Sequence, residues 1–264
     1  MSNILITFGG AAYDMHTDRL VRFVQQSVPA VDQLRVYDDR WLTKTPFYEH
    51  NYWIFQRQPA HGFGFCSWKP YIIKHALHNY ATSRGDVVMY VDGDTVPIAD
   101  FGCLFERASK VGVMLFEEQG CINKTWIKAD CFDAMQCDGP IFTEAMHACG
   151  RFQLFRKGDH EVNQFLEEWQ TYSLNPKCQF HEGSVNRALD HPSFIRNSCE
   201  QAVLSLLAVK YCIPLHRNPD QSGWPVAHGG TYKPEDTYPQ LFQQYGTVGN
   251  KRDWNGSKFA NIHP

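Results

Sequence analysis

The sequence VVMYVDGDTVP at residues 87–97 is a run of β-branched and apolar residues that stops in an acidic turn, as expected of a buried strand. A second short apolar run, ILITFGG at 4–10, ends in glycines. The segments QLRVYDD at 33–39 and KVGVMLFEE at 110–118 also have the composition of strands. We therefore predict strands in all four segments.

Helical patterns separate these strands. One follows Thr17, a suitable N-cap, and places on one face Leu20, Val21, Val24 and Val28. PYIIKHALHNYA at 70–81 opens with a proline that suits a first helical turn. The alternation predicts an α/β fold, a single Rossmann-like domain with a mostly parallel central sheet flanked by helices. Ligands of such sheets bind beyond the carboxyl ends of the strands, where Gly9-Gly10 and Asp92-Gly93-Asp94 lie.

The second half of the chain is less regular. RFQLFRKG at 151–158 resembles a strand and turn, and VNQFLEEWQTY at 162–172 is an amphipathic helix. A helix that runs into a short strand is predicted over 199–214. From His216 onward, the abundance of Gly, Pro, Asn, Asp and Tyr predicts a long loop or tail, and long loops are often functional.

Composition excludes several classes of protein. The chain has 264 residues, of which 43% are hydrophobic and 20% charged, as in ordinary globular proteins. A net charge of -3 gives no basic field, so we expect no nucleic-acid partner. We recognise no signal peptide and no transmembrane segment, and the nine scattered cysteines form no CxxC pair. We predict a cytoplasmic protein with reduced, mostly buried cysteines.

The Asp92-Gly93-Asp94 turn is the sharpest chemical feature. Two carboxylates one residue apart can converge on a hard divalent cation such as Mn²⁺ or Mg²⁺, which would neutralise a diphosphate. A solvated Asp-Gly turn is the alternative, and the tripeptide alone does not decide between them. A β-hairpin is disfavoured because the sequence after Pro97 becomes helical.

Two further segments carry polar groups in glycine-rich surroundings. In HGGTYKP at 228–234, His228 is a candidate third metal ligand, the backbone near Gly230 can approach phosphate oxygens, and Lys233 can supply positive charge. In GFGFCSWKP at 62–70, Lys69 precedes a helix beside an aromatic turn. An incidental histidine in a loop and a turn of buried aromatics are the alternatives.

These features together resemble the GT-A class of nucleotide-sugar-dependent glycosyltransferases, and more narrowly a family of bacterial and viral capsule- or glycan-building transferases. The resemblance follows the order of the chain through GFGFCSWKPYII (62–73), VVMYVDGDTV (87–96), TWIKADCF (125–132), FTEAMHACGRFQLFRKG (142–158) and RNSCEQAVLSLLAVKYCI (196–213).

The resemblance implies a role for each matching position. Asp92 and Asp94 would hold Mn²⁺ or Mg²⁺ and, with Gly93, the donor diphosphate. Thr7, Phe8 and Gly9 would touch the base or ribose, and Lys69 would lie in the donor pocket. The HGGTYKP loop resembles a segment of glycogenin-like transferases, by which His228 would complete the metal site, and Lys233 and Gly230 would meet phosphate.

Two departures from the family pattern affect the catalytic acids. Glu200 stands where the family has a shorter acid before Gln, and Glu144 stands where it has Gln. With Asp130, these are the candidates for a general base. Inversion and retention both stay open, although the likeness to glycogenin favours retention.

The resemblance implies a metal-dependent hexosyltransferase for polysaccharide biosynthesis, with a nucleotide-sugar donor, by default a UDP-sugar, and a glycan or other hydroxyl acceptor. It implies one catalytic domain over 1–264, with a nucleotide-binding half (1–115), an acceptor half (116–214) and a C-terminal segment (215–264) that closes the site. The protein would lie in the cytoplasm of a bacterium, or of a host cell if it is viral.

Three rival functions compete with this interpretation. A sugar-nucleotide pyrophosphorylase should carry a basic glycine-rich loop after the first strand, and FGGAAYDMH has no lysine or arginine. A catalytically silent glycan-binding module would explain the many aromatic residues but not two acids at the end of a strand. An α/β domain of unrelated function also stays open.

Overall fold

The computed structural model describes residues 1–9, 14–57, 63–223 and 236–245, with only the backbone of Asp14. Within these ranges the strands are β1 Asn3–Phe8, β2 Gln33–Tyr37, β3 Val87–Asp92, β4 Thr95–Pro97, β5 Val113–Ile122, β6 Met146–Arg156, β7 Leu215–His216 and β8 Phe242–Gln244. The helices are α1 Asp14–Ser27, α2 Asp39–Leu42, α3 Pro46–His50, α4 Tyr52–Gln56, α5 Lys69–Asn79, α6 Gly102–Val111, α7 Asn123–Trp126, α8 Ala129–Ala134, α9 Pro140–Thr143, α10 His160–Ser173 and α11 Glu200–Lys210. Short 3₁₀ turns cover Phe63–Cys66, Arg187–Leu189 and Gln221–Gly223.

The central sheet has six strands among the described residues, in the order β2-β1-β3-β6-β5-β7. Strand β1 is parallel to β2 and to β3, and β5 is parallel to β7. Strand β6 is antiparallel to both of its neighbours, β3 and β5. The predicted α/β fold with a mostly parallel sheet flanked by helices is confirmed.

Helices cover both faces of the sheet because successive side chains of β1 point to opposite sides. Leu5 belongs to a core that also contains Leu20 of α1 and Leu104 of α6. Its neighbours Ile4 and Ile6 belong to a second core, formed with residues of α5, α10 and α11. The side chains of Ile4, Leu5 and Ile6 are fully buried. A near-continuous apolar run, as in 4–8, is therefore what a strand covered on both faces requires.

Two sequence predictions about local structure are wrong. Helix α1 begins at Asp14, so Thr17 lies inside its first turns and is not the N-cap. The Thr17 side chain is buried where a Cβ added to Gly9 would lie 3.1 Å from its Oγ1. Thr17 is therefore a small residue that packs at the end of β1. In the sequence alone, the same residue looks like an N-cap.

Residues 242–244, predicted to be loop or tail, form β8 and pair antiparallel with β4, placing Thr95 opposite Gln244. Phe242 is fully buried and packs on Phe101 and Phe152. Burial of the Phe242 ring stabilises this segment, and the polar composition of the segment does not reveal that.

In the described part of the chain, no helix is both long enough and apolar enough to cross a bilayer. All nine cysteines are free. Six of them are buried: Cys121, Cys131, Cys137, Cys149, Cys178 and Cys199. The prediction that the cysteines are mostly buried is confirmed.

Candidate functional site

The carboxyl ends of β1, β2 and β3 lie in one row. Phe8 is in register with Tyr37 on one side and with Asp92 on the other. The chain leaves β1 towards β2 and later returns to the opposite side of β1 as β3. The strand order therefore reverses between β1 and β3, and open α/β sheets bind ligands at this reversal. Both predicted ligand-binding turns, at Gly9 and at Asp92-Gly93-Asp94, start here.

The acidic turn folds closely over the end of β1. A Cβ added to Gly93 would clash with the carbonyl oxygen of Phe8 and would lie 3.3 Å from Thr17 Oγ1. The N–H of Gly9 donates to the carbonyl oxygen of Tyr37 at 2.7 Å, which holds the end of β1 against β2. Glycine at 93 thus lets the two carboxylates sit beside the β1 backbone.

The three predicted nucleotide-contacting residues at the end of β1 are all buried. Thr7 is fully buried, Gly9 is buried, and the Phe8 ring stacks on Trp68 with ring centroids 3.9 Å apart. The side chains of Thr7 and Phe8 are therefore part of the core. Any contact of this stretch with a ligand would be made by its backbone.

A left-handed turn precedes Lys69. Gly64, Phe65 and Cys66 have φ between 54° and 58°, a conformation that costs free energy for the two residues with side chains. A Cβ on Gly64 would overlap the Phe55 ring. The turn is held by Trp68, whose Nε1–H donates to the Phe63 carbonyl at 2.8 Å. This turn places Lys69 at the start of α5, next to the acidic turn.

Lys69 joins three separate elements. Its Nζ lies 3.0 Å from Asp92 Oδ1 and 3.0 Å from Glu200 Oε1, and it donates to the Gly150 carbonyl at 2.7 Å. These acceptors match the three N–H bonds of an ammonium group. The side chain is 4% exposed, so this is a buried charge with complete hydrogen bonding.

The charged groups of this cluster shift one another's pKa values. Burial alone would lower the pKa of Lys69, but the Asp92 and Glu200 carboxylates outweigh it and hold that pKa well above its usual range. Burial raises the pKa of Glu200, and Lys69 partly offsets that rise. Burial, followed by the charge of Asp92, also raises the pKa of the Tyr90 hydroxyl, which donates to Asp92 Oδ1 at 2.6 Å. Lys69 is therefore the permanent cation of the cluster.

Asp94 lies against the last described segment of the chain. Its Oδ2 accepts from Gln244 Nε2 at 3.2 Å, and its carbonyl accepts from the N–H of Tyr245 at 3.0 Å. Burial raises the pKa of Asp94, and the neighbouring Asp92 raises it further. A positive charge brought between the two carboxylates would relieve this repulsion.

A second buried ion network lies next to Gly150. Arg151 donates from Nε to Asp220 at 2.9 Å and from a terminal nitrogen to Glu118 at 3.1 Å. Its charge also lowers the pKa of Asp94, although burial and Asp92 prevail there. Arg151, Asp220 and Gly150 were not predicted from the sequence as site residues. A glycine directly before an arginine in a strand was the available signal, because glycine in a strand marks a close approach.

Asp130 and Glu144 lie away from the contacts of Lys69. Asp130 Oδ2 accepts from the N–H of Val185 at 2.8 Å. Glu144 is exposed and pairs with Lys124 at 2.6 Å. The structure thus brings together Lys69, Asp92 and Glu200, but gives Asp130 and Glu144 other partners. His228, Gly230 and Lys233 lie outside the described residues.

The donor set of the acidic turn suits a hard divalent cation. Asp92 and Asp94 supply carboxylate oxygens one residue apart in the turn, and burial first and the charge of Asp92 second raise the pKa of Asp94. Within the described ranges, no three His, Cys, Asp or Glu side chains form a group that could hold a metal. A cation bound by Asp92 and Asp94 would therefore complete its coordination with other ligands, and Mg²⁺ and Mn²⁺ usually keep water or take phosphate oxygens.

Neither a protein-family model nor a curated protein sequence matches the chain. Among solved structures, the apo structure of the WbbM bifunctional glycosyltransferase resembles 78% of the chain, with 12% sequence identity and a TM-score of 0.45. The chain spans 37% of the length of that protein. A likeness this distant assigns neither a family nor an activity to the chain.

Proposed function

We propose that the chain is a metal-dependent glycosyltransferase of the GT-A type, which moves a hexose from a UDP-sugar to a hydroxyl of a glycan or another acceptor. The observation that carries the proposal is the position of Asp92 and Asp94. Asp92 ends β3 and Asp94 follows it, at the reversal of strand order, and Gly93 packs the turn against the end of β1. This is where an open α/β sheet binds its ligand.

A nucleotide-sugar reaction requires positive charge at this point. The sugar passes through an oxocarbenium-like transition state while negative charge develops on the departing diphosphate. Asp92 and Asp94 would hold Mn²⁺ or Mg²⁺, which stabilises that charge when bound. The backbone of Thr7, Phe8 and Gly9 lies beside the acidic turn, in the place proposed for the base or ribose.

Lys69 and Glu200 define the other side of the proposed reaction centre. Lys69 contacts Asp92 and Glu200 with the same Nζ, which fixes the distance between the two carboxylates. Of the three acids predicted as catalytic, Glu200 is the one linked to the acidic turn in this way. We therefore assign to Glu200 the role of the catalytic carboxylate beside the transferred sugar. Lys69 would position Asp92 and Glu200.

We assign a different role to each of three segments of the chain. Residues 1–115 contribute Lys69 and the acidic turn and would bind the donor. Residues 116–214 contribute Glu200 and would face the reacting hydroxyl of the acceptor. Residues 215–264 would close the site as part of a single catalytic domain, and Gln244 already contacts Asp94.

Calorimetric titration tests the proposal. The wild type is titrated with UDP, GDP, CMP and several UDP-sugars, with and without Mn²⁺. We expect Mn²⁺-dependent binding of a uridine nucleotide. It should be lost in Asp92→Asn/Asp94→Asn and kept in Asp138→Asn, which changes an exposed acid. A folded wild type that binds no nucleotide would contradict the transferase.

A further inference from the structure

An open cavity of about 430 Å³ lies in the helical segment that follows β2. Its lining residues come from α3, from the start of α4 and from the turn before α3, and they are Thr43, Lys44, Thr45, Tyr48, Glu49 and Tyr52. We call it the Tyr52 groove. Because β2 ends at Tyr37, in register with Phe8, the segment that builds the groove leaves the sheet at the same edge as the acidic turn.

The groove combines one exposed aromatic ring, that of Tyr52, with polar groups. Tyr52 is 49% exposed, and its ring meets that of Tyr48 edge to face at 5.5 Å. No ion-pair partner of Lys44 or Glu49 is found among the described residues, and both side chains are exposed. Tyr48 packs partly against the core, whereas Tyr52 belongs to neither hydrophobic core, so the half-exposed Tyr52 ring has a face available to a ligand.

Aromatic contacts connect the groove to the proposed donor site. The Tyr48 ring lies over Phe63 with centroids 6.2 Å apart, and the Phe63 carbonyl accepts from Trp68. Trp68 in turn stacks on Phe8 at the end of β1. A chain of aromatic contacts therefore links the groove to the end of β1 beside the acidic turn.

We propose that the Tyr52 groove is a subsite for the acceptor glycan, which binds a sugar unit remote from the reacting hydroxyl. A neutral oligosaccharide fits its chemistry. The C–H face of a pyranose packs on a tyrosine ring, and hydroxyl groups bond to threonine, lysine and carboxylate side chains. The inference rests on the proposed function, and it extends the acceptor site beyond residues 116–214 into the first half of the chain.

The charges around the groove argue against other occupants. Lys44 and Glu49 have opposite signs and line the same cavity. A nucleic acid or an anionic membrane would require a basic field, which this mixture does not create. A neutral polar ligand that uses both a donor and an acceptor is the class that the lining favours.

Oligosaccharide binding without nucleotide tests the groove directly. The wild type, Tyr52→Ala, Tyr52→Phe and Leu189→Ala are titrated by calorimetry with linear hexasaccharides of glucose, galactose, mannose and N-acetylglucosamine. Leu189 is an exposed apolar residue outside the groove and serves as the matched truncation control. We expect at least one hexasaccharide to bind, with its affinity lowered about tenfold by Tyr52→Ala and little changed in the other two variants.

The same proteins are titrated with UDP and Mn²⁺, and we expect Tyr52→Ala to bind them as the wild type does. If UDP binds but no hexasaccharide does, or if Tyr52→Ala binds the hexasaccharide unchanged, the groove is not a glycan subsite, although the transferase proposal stands. If a hexasaccharide binds in the groove and no nucleotide binds at all, the transferase proposal fails and with it the acceptor role, leaving a glycan-binding module.

Discussion

Lys69 and Glu200 form an ion pair of 3.0 Å between the first residues of two helices, α5 and α11. Both side chains are more than nine-tenths buried. The same ammonium group also lies 3.0 Å from Asp92, which ends β3. One cation thus neutralises two carboxylates that arrive from different elements. The geometry of the acidic turn consequently depends on residue 69.

Removal of this cation should destabilise the fold. Lys69→Met leaves the buried Glu200 and the partly exposed Asp92 without their shared counter-charge. Loss of one partner of a buried ion pair costs about 3–5 kcal/mol. We expect urea unfolding at neutral pH to show a decrease of this size in the free energy of unfolding.

A matched lysine separates this effect from the general loss of a positive charge. Lys74 is in the same helix and pairs with Glu167 in an exposed position. Lys74→Met should cost only about 0–1 kcal/mol. The double variant Lys69→Met/Glu200→Gln should recover part of the loss because it removes one stranded charge. Equal effects of Lys69→Met and Lys74→Met would show that the buried cluster contributes no special stability.

Gly93 is required by the close approach of the acidic turn to β1. In Gly93→Ala the new methyl group meets the Phe8 carbonyl, which belongs to a central strand and cannot move freely. We expect the free energy of unfolding to fall by about 1–3 kcal/mol, as in other overpacked sites. The turn should also shift, so that Mn²⁺-dependent UDP binding weakens at least severalfold.

Gly120→Ala is the control for this substitution. Gly120 has a φ of 76° and open space around its Cα, so alanine there introduces backbone strain without a clash. A cost of about 1 kcal/mol is expected, with nucleotide binding unchanged. If both alanine variants bind UDP as the wild type does, the contact between Gly93 and Phe8 does not position the donor site.

The sequence predicted β1 and β3 well because both strands are buried on both faces. The run from Ile4 to Phe8 has no polar alternation to obscure it, and Asp92 marks the end of β3 without ambiguity. The same local information misplaced the start of α1. Thr17 is conformationally suited to a cap, and only its packing beside Gly9 and Gly93 shows its role.

Tertiary relationships account for what the sequence could not predict. Lys69 and Glu200 were both candidates on resemblance, but nothing local indicates that they share a hydrogen-bonded cluster with the Gly150 carbonyl. The pairing of Thr95 with Gln244 depends on burial of Phe242, which lies within a polar segment. Long-range pairing of this kind leaves no periodicity in either partner.

The cysteines should differ sharply in reactivity. Cys212 and Cys103 are exposed, and Cys66 is half-buried. Burial raises the pKa of Cys103, and since the thiolate is the reactive form, it should react more slowly than Cys212. In a titration of the native protein with a chromogenic disulfide at pH 8, Cys212→Ser should remove the fastest phase. The six buried thiols should react only after denaturant is added, and rapid reaction of all nine without denaturant would contradict this burial.

His147 should make the protein less stable in mild acid. It lies in β6, fully hydrogen-bonded between Asn123 Oδ1 and Ser198 Oγ, each at 2.8 Å. Asn123 donates its amide to the Phe142 carbonyl, which turns its oxygen towards His147 Nδ1. Burial lowers the pKa of His147 from 6.5 to about 3. The folded protein therefore keeps this imidazole neutral in a pH range where the unfolded chain binds a proton.

The sign of the pH dependence follows from that difference. Between pH 6.5 and about 3 the unfolded state binds more protons at this residue, so the free energy of unfolding falls as pH falls, by up to about 1.4 kcal/mol per pH unit. Urea unfolding at pH 7, 6 and 5 measures the slope. His147→Gln should reduce it by this contribution, whereas His160→Gln, at an exposed helix start, should not. An unchanged slope in His147→Gln would mean that His147 is protonated in the folded protein and that its environment is not as closed as its contacts indicate.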